Sequence, residues 1–388
     1  MIERTELAES VRYRWRTMPG FAARVDTAEL ERLRADPAVA HVELDYPGKA
    51  NLVESRALVG ADEVRRLAFD GSGITVAVLD TGVDSLHPDL AGRILDEQCF
   101  CQNFSSSYFP VDWRGCCPDG TSRQHGTGAA FDRHGHGTSV ASVIASSGET
   151  GPTGIAPGVN LLSIRVMDDR GRIRSTAQII AALDWILLNR PDVRVVNMAF
   201  GTDATFIGHC DEHAQTFSLM VERLRDVGAI VVAPSGNDAN AAGIGLPACL
   251  EAAVAVGAVY DADIGAARHA VCTDGTTAPD QVCCFSNSGA ALDLLAPGAA
   301  ITTGLVGGRV GTVVGTSYAA AHVAGAAAIL MQLDPSRTVD EIEQILRASG
   351  KPVADPRNSA VTTPRLDVFA AVLAAEPPPT RHRPVGRP

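Results

Sequence analysis

The sequence predicts an α/β protein: a doubly wound, mostly parallel sheet with helices on both faces, plus a small α+β segment at the N-terminus. Three observations predict it. From about residue 74, short continuous apolar runs alternate with helical stretches, and strands apolar on both faces need helical cover on each. Those runs are rich in β-branched residues and bounded by Gly, Pro or Asp, as strands are. Residues 1–50 carry a separate pattern, with strand-like segments around one amphipathic helix.

In chain order, VRYRWRT and GFAARVD read as strands, with Gly20 between them. Asp26 then precedes TAELERLRAD, with Glu29 three residues on; this start is similar to a capping box, with Asp in the place of Ser or Thr. Leu30 and Leu33 share one face of that helix. AVAHVELD alternates and reads as a returning strand, and Pro47–Asn51 as a linker. Beyond it ITVAVLD, NLLSIRVMD, VRVVNMAFG, AIVVAPSGN, AAVAVGAVY and LDLLAPG are strands. Between them TSVASVIASS, STAQIIAALDWILLN, TFSLMVERLRDVG and SYAAAHVAGAAAILMQL are helical, and PSRTVDEIEQILRAS and RLDVFAAVLAAE follow. The expected organisation is a segment 1–50, a main domain 51–375 and a disordered Pro/Arg-rich tail 376–388. In such a sheet the reactive site lies at the carboxyl ends of the strands.

Composition narrows the function. Hydrophobic residues make up 46% and charged residues 20%, a globular balance. A net charge of −12 argues against a nucleic-acid partner, which needs a basic face. No stretch approaches the ~18 apolar residues that span a bilayer, so no membrane partner is expected. MIERTELAES has no signal-peptide h-region. The nine cysteines point outward even so: the clusters Cys99/Cys101, Cys116/Cys117 and Cys283/Cys284 favour disulfides and an oxidising, extracytoplasmic compartment. A zinc cluster is the competing reading. The odd count leaves at least one thiol free or paired between chains.

Three segments carry chemistry. ITVAVLDTGVD puts Asp80 at the end of a buried strand, where a carboxylate needs a partner. A turn-capping Asp would look the same, and so would an aspartic protease, which needs a second Asp-Thr/Ser-Gly that this chain lacks. DRHGHGTSVAS offers His136 as a general base at a helix start, flanked by Gly135 and Gly137. His125-Gly126-Thr127 repeats the tripeptide but leads into more loop, and His134 is a loop neighbour. GTVVGTSYAAAHVAGAAAIL places Ser317 where a Gly-Thr turn enters a helix of very small residues. An N-cap Ser is the bland alternative.

Together, DTGVDSLHPDL, HGHGTSVAS and GTSYAAAHVAG resemble the three signature segments of the subtilisin-like serine peptidases, the subtilase family. The order Asp, His, Ser matches that family and not the α/β-hydrolases. The resemblance covers roughly residues 50–345. It implies a serine endopeptidase acting on protein or peptide substrates, with Ser317 as nucleophile, His136 as base and Asp80 orienting the imidazole. VVAPSGN matches the segment that ends in the family's oxyanion asparagine, here Asn237. Ala199-Phe200-Gly201 and Gly171-Arg172-Ile173 fall where the family grips an extended main chain, and Ser235 lines one wall of the primary pocket.

The resemblance implies more. GFAARVDTAELERLRADPAVAHVELD is similar to the latter part of the inhibitor propeptide of subtilisins, so a self-processing zymogen is expected, with its propeptide as intramolecular inhibitor and a truncated start. Cleavage is expected between about Tyr46 and Ser55. Cys210 with Cys249, and Cys272 with Cys283 or Cys284, sit where cysteine-rich members carry disulfides. No cofactor is expected to be required. Asp89 matches a residue that often ligates structural calcium, although the loop Ser147–Thr153 lacks the usual ligand pattern. Ser139, Ala321 and Tyr318 depart from the common residues without removing a reacting group, and His322 is expected to be structural. A monomer is expected. The rival class is an inactive, propeptide-locked binding protein on the same fold.

Overall fold

The computed structural model describes residues 11–42 (apart from 16, 18 and 24), 48–50, 57–102, 115–358 and 361–375. An eleven-stranded sheet forms the centre. Its path runs Lys351–Ala354, Thr362–Arg365, Leu294–Leu305, Val254–Tyr260, Ile230–Pro234, Val193–Met198, Thr75–Asp80, Asn160–Arg165, Ile94–Phe100, Arg123–His125. From Thr362–Arg365 through Ile94–Phe100 the neighbours are parallel. The two ends of the path and the added Arg309–Val314 strand pair antiparallel.

Alternation along the strands builds two cores. Val76 and Val78 of the Thr75–Asp80 strand join one apolar cluster, while Ala77 and Leu79 join the other. Helices His136–Ala145 and Thr316–Leu333 supply the first, and Thr176–Asn189 and Gln215–Asp226 the second. The small-residue helix is buried along nearly its whole length. Its size restriction is specific: a Cβ on Gly325 would lie 2.7 Å from Ile155 Cβ. The helix start at Thr338 is a full capping box, in which the Thr338 side chain accepts from the Glu341 N–H and Glu341 accepts in return.

Most predicted elements appear within a few residues of their expected ends. LDLLAPG continues as one strand, Leu294–Leu305, through Pro297-Gly298. A register shift between Ala299 and Ile301, with Ala300 at φ 66°, absorbs the irregularity as a bulge. Ile94–Phe100 was not expected; only its second half is buried, so no continuous apolar run announces it.

At the N-terminus, Val11–Arg14 and Phe21–Ala23 pair antiparallel and Thr27–Ala35 is helical. The Asp26 side chain accepts from the Glu29 N–H at 2.8 Å. This unit touches the main domain through Thr17, whose N–H donates to Asp184 Oδ1 on the Thr176–Asn189 helix at 2.8 Å. The returning strand read at AVAHVELD is not present over residues 38–42, and its remainder lies outside the described residues, as does the tail 376–388. The linker reading of Pro47–Asn51 is corrected. Gly48–Ala50 forms a strand, because two open sheet edges on the main domain meet its backbone.

Disulfides join Cys99 to Cys117, Cys101 to Cys116, Cys210 to Cys249 and Cys272 to Cys284, and Cys283 is a buried free thiol. These pairings take up all the clustered cysteines but Cys283. The Cys210–Cys249 bond closes a separation of 39 residues. The chain-entropy argument gives a loop of that size roughly 4 kcal/mol. Replacing both cysteines by Ala is therefore expected to lower unfolding free energy by about 2–4 kcal/mol in denaturant titrations, with the fold retained by circular dichroism.

Candidate active site

Asp80 ends the Thr75–Asp80 strand and is fully buried. Its carboxylate accepts the Thr81 N–H at 2.6 Å. His136 Nδ1 lies 2.7 Å from Asp80 Oδ1 and 2.8 Å from Oδ2. That geometry makes Nδ1–H the donor and turns Nε2 away from the carboxylate. His136 opens the His136–Ala145 helix directly after Gly135, whose φ of 98° favours glycine. Gly137 is forced by packing instead: a Cβ there would lie 2.0 Å from the Gly82 carbonyl and 2.9 Å from Asp80 Cβ. The expected decoy, His125, sits on the edge strand Arg123–His125 and is exposed.

Ser317 is the second residue of the Thr316–Leu333 helix and is buried. Its hydroxyl donates to the Ala199 carbonyl at 3.0 Å. The next residue, Tyr318, sets its ring edge-on to His136 with centroids 5.6 Å apart. The three motifs thus meet at the carboxyl ends of the central strands. Asn237 approaches the same helix start: its Oδ1 accepts from the Thr316 N–H at 2.9 Å and from the Thr316 hydroxyl at 3.0 Å. With the oxygen fixed by two donors, the amide NH2 is the end turned the other way.

The two segments expected to grip a peptide main chain are also together. Arg172–Ile173 and Phe200–Thr202 flank Gly48–Ala50 in a three-stranded antiparallel sheet. Ala50 pairs with Phe200, Lys49 with both Gly201 and Arg172, and Gly48 with both Thr202 and Ile173. The nearer end of this strand, Ala50, is therefore opposite the neighbour of Ala199, the residue bonded to Ser317. Gly171 is in the turn before, at φ 68°. Ser235 is buried with its hydroxyl donated to the Asn287 carbonyl at 2.8 Å, so its side chain is committed to the fold.

A subtilase family model matches residues 71–362. The chain belongs to the subtilase family. A peptidase inhibitor I9 model matches residues 3–50. Similar proteins include an extracellular serine proteinase of Thermus sp. (strain Rt41A), 32% identical over 84% of this chain and 70% of that protein. Subtilisin E of Bacillus subtilis (strain 168) is 28% identical over 89% of this chain and 79% of its own length. An alkaline serine exoprotease A of Vibrio alginolyticus is 29% identical over 88% of this chain and 58% of its own. This subtilase is a serine endopeptidase.

Asp89 does not fit a calcium ion. Its carboxylate is occupied by donors: the Thr150 N–H at 2.6 Å, the Thr150 hydroxyl at 2.9 Å and the Gly151 N–H at 3.0 Å. Burial pushes this carboxyl up, but the Thr150 and Gly151 bonds outweigh burial and hold it below the ordinary carboxylate range. Donors pointed at the oxygens stand where a cation would bind. His322 is structural, with Nδ1 2.7 Å from the Tyr318 carbonyl one turn back.

One residue of the subtilase site escaped the sequence reading. Asp132, fully buried, accepts at Oδ1 from the N–H groups of His134 and Gly135 and from the Thr81 hydroxyl. Its Oδ2 accepts from the N–H and hydroxyl of Thr138. The Thr81 hydroxyl in turn accepts the Gly137 N–H at 2.9 Å. Asp132 therefore fastens the start of the His136 helix to the end of the Asp80 strand. The available signal was an acidic residue four positions before a helix-opening His. Asp132→Ala is expected to lower kcat about 10–100-fold while KM changes far less, because the imidazole is displaced and the peptide groove is not. Steady-state kinetics on a short peptide substrate would check this split.

Proposed function

We propose that this chain is a self-processing zymogen whose mature form cleaves proteins outside the cytoplasm, through an acyl-enzyme on Ser317. Ser317 Oγ attacks the scissile carbonyl while His136 Nε2 takes its proton, and the same nitrogen later protonates the leaving amine. Asp80 holds the Nδ1–H tautomer and stabilises the imidazolium. The Asn237 amide and the Ser317 backbone N–H, at the helix N-terminus, receive the negative oxygen of the tetrahedral intermediate. The short Asp80–His136 contact carries this reading, since a fully buried carboxylate on a buried imidazole has no simpler purpose beside a helix-start serine.

Residues 1–50 act as the inhibitor in the same reading. Gly48–Ala50 lies as a substrate strand would, by β-augmentation of both edges. Its register runs toward the Ala199–Ser317 contact. Within the expected Tyr46–Ser55 range, we propose processing after Ala50, at residues 51–55. Ala199, Phe200, Gly201, Gly171, Arg172 and Ile173 bind substrate main chain, while Ser235 contributes backbone to a pocket wall. Disulfides and extracellular relatives support secretion.

Three measurements test the reading. A fluorophosphonate probe should label the wild type and leave Ser317→Ala unlabelled; labelling elsewhere on the Ala variant would remove Ser317 from the mechanism. Asn237→Ala should lower kcat about 10²–10³-fold, the loss seen when this donor is removed from a subtilisin. N-terminal sequencing of active enzyme should begin between residues 51 and 55, and an intact Met1 on active enzyme would defeat the zymogen proposal.

A further inference from the structure

Among the described residues, Arg165 is the largest fully buried side chain, 1% exposed. It closes the Asn160–Arg165 strand, in register with Asp80 on one side and Cys99 on the other. A buried guanidinium is costly unless its N–H groups are met. Here they are met by four separate segments. Nε donates to the Cys116 carbonyl at 3.1 Å, and Nη1 donates to the Thr81 carbonyl at 2.9 Å and the Phe131 carbonyl at 3.0 Å. Nη2 donates to Asp169 Oδ1 at 2.5 Å.

Each segment leads to the site. Thr81 follows Asp80. Phe131 precedes Asp132, which caps the His136 helix. Asp169 lies in the Asp168–Arg172 turn, closed by the Asp168 N–H on the Arg172 carbonyl, which presents the substrate edge Arg172–Ile173. Cys116 belongs to the hairpin held by Cys99–Cys117 and Cys101–Cys116. Three of the four acceptors are neutral carbonyls, and the one carboxylate is about half exposed. Charge neutralisation alone would not need that arrangement, whereas fixing several loops around one planar fork does.

We propose that Arg165 is a positioning residue for peptide hydrolysis: it sets the Asp80 and His136 loops against the Arg172–Ile173 substrate edge, and the Cys101–Cys116 disulfide acts on the site through it. The proposal rests on the Asp80–His136–Ser317 reading above. Arg165 touches no reacting atom. Its Asp169 arm governs the groove, and its Thr81 and Phe131 arm governs the base.

The test is steady-state kinetics on mature enzyme, with active sites counted by fluorophosphonate titration so that only folded molecules enter kcat. Asp169→Ala should raise KM several-fold at unchanged kcat. Arg133→Ala, which removes the other partner of Asp169 at 3.5 Å, should change neither. Arg165→Met should lower kcat about 10²-fold, and Arg165→Lys should restore most of kcat while KM stays raised, since an ammonium can serve the carbonyls without spanning to Asp169. The pair Cys101→Ala with Cys116→Ala should lower kcat/KM about tenfold. If Arg165→Met yields no folded enzyme, the Asp169 and cysteine variants decide. Wild-type kcat and KM per titrated site in those variants would overturn the proposal. Failure of the wild type to react with the probe would instead overturn the triad reading.

Discussion

A single buried contact organises the site: the Asp80 carboxylate against His136 Nδ1, with neither side chain reachable by solvent. Removing a carboxylate from water costs several kcal/mol unless fixed donors replace the water. Here the Thr81 N–H and the imidazole do so. The requirement propagates. The strand end must be dry, so the sheet must be covered there; the helix start must approach within contact of Asp80, so residue 137 can only be glycine.

Around that contact lies a ring of polar groups that are satisfied by one another. Asp132, Thr81 and Thr138 connect strand to helix, and Arg165 connects both to the turn at Asp169 and to Cys116. Such networks are rigid because every member has a partner, and losing one member leaves others buried and unmet. Rigidity of this kind suits a reaction in which the oxyanion donors and the base must be in place before substrate arrives. The groove itself is simpler, being the two backbone edges Phe200–Thr202 and Arg172–Ile173. Gly48–Ala50, from the protein's own N-terminal segment, joins both edges by main-chain pairing.

Much of this was legible in the sequence because it is locally encoded. Continuous apolar runs announced the central strands, and Asp80 stood out as a charged residue closing one of them. The small-residue helix after Ser317 and the glycines around His136 were likewise visible as patterns. What was not legible depends on distant partners. The partners of Asp132 and Arg165 lie in other segments, and only the fold brings carbonyls from Thr81, Cys116 and Phe131 to one guanidinium. The partners of Asp89 are distant in the same way: its carboxylate is met by the N–H groups of a loop about sixty residues further on. Pro47–Asn51 looked like a linker because a strand of three residues without apolar alternation gains its structure wholly from the edges it joins.

The central claim is that the buried Asp80 carboxylate fixes the tautomer and charge of His136. Asp80→Asn preserves size and removes only the charge and the acceptor symmetry, so the folded protein should keep its thermal midpoint within a few degrees. Its kcat on a peptide substrate, corrected for titrated sites, should fall about 10⁴-fold, as when this carboxylate is neutralised or removed in other serine peptidases. A folded Asp80→Asn enzyme retaining kcat within tenfold of wild type would contradict the account.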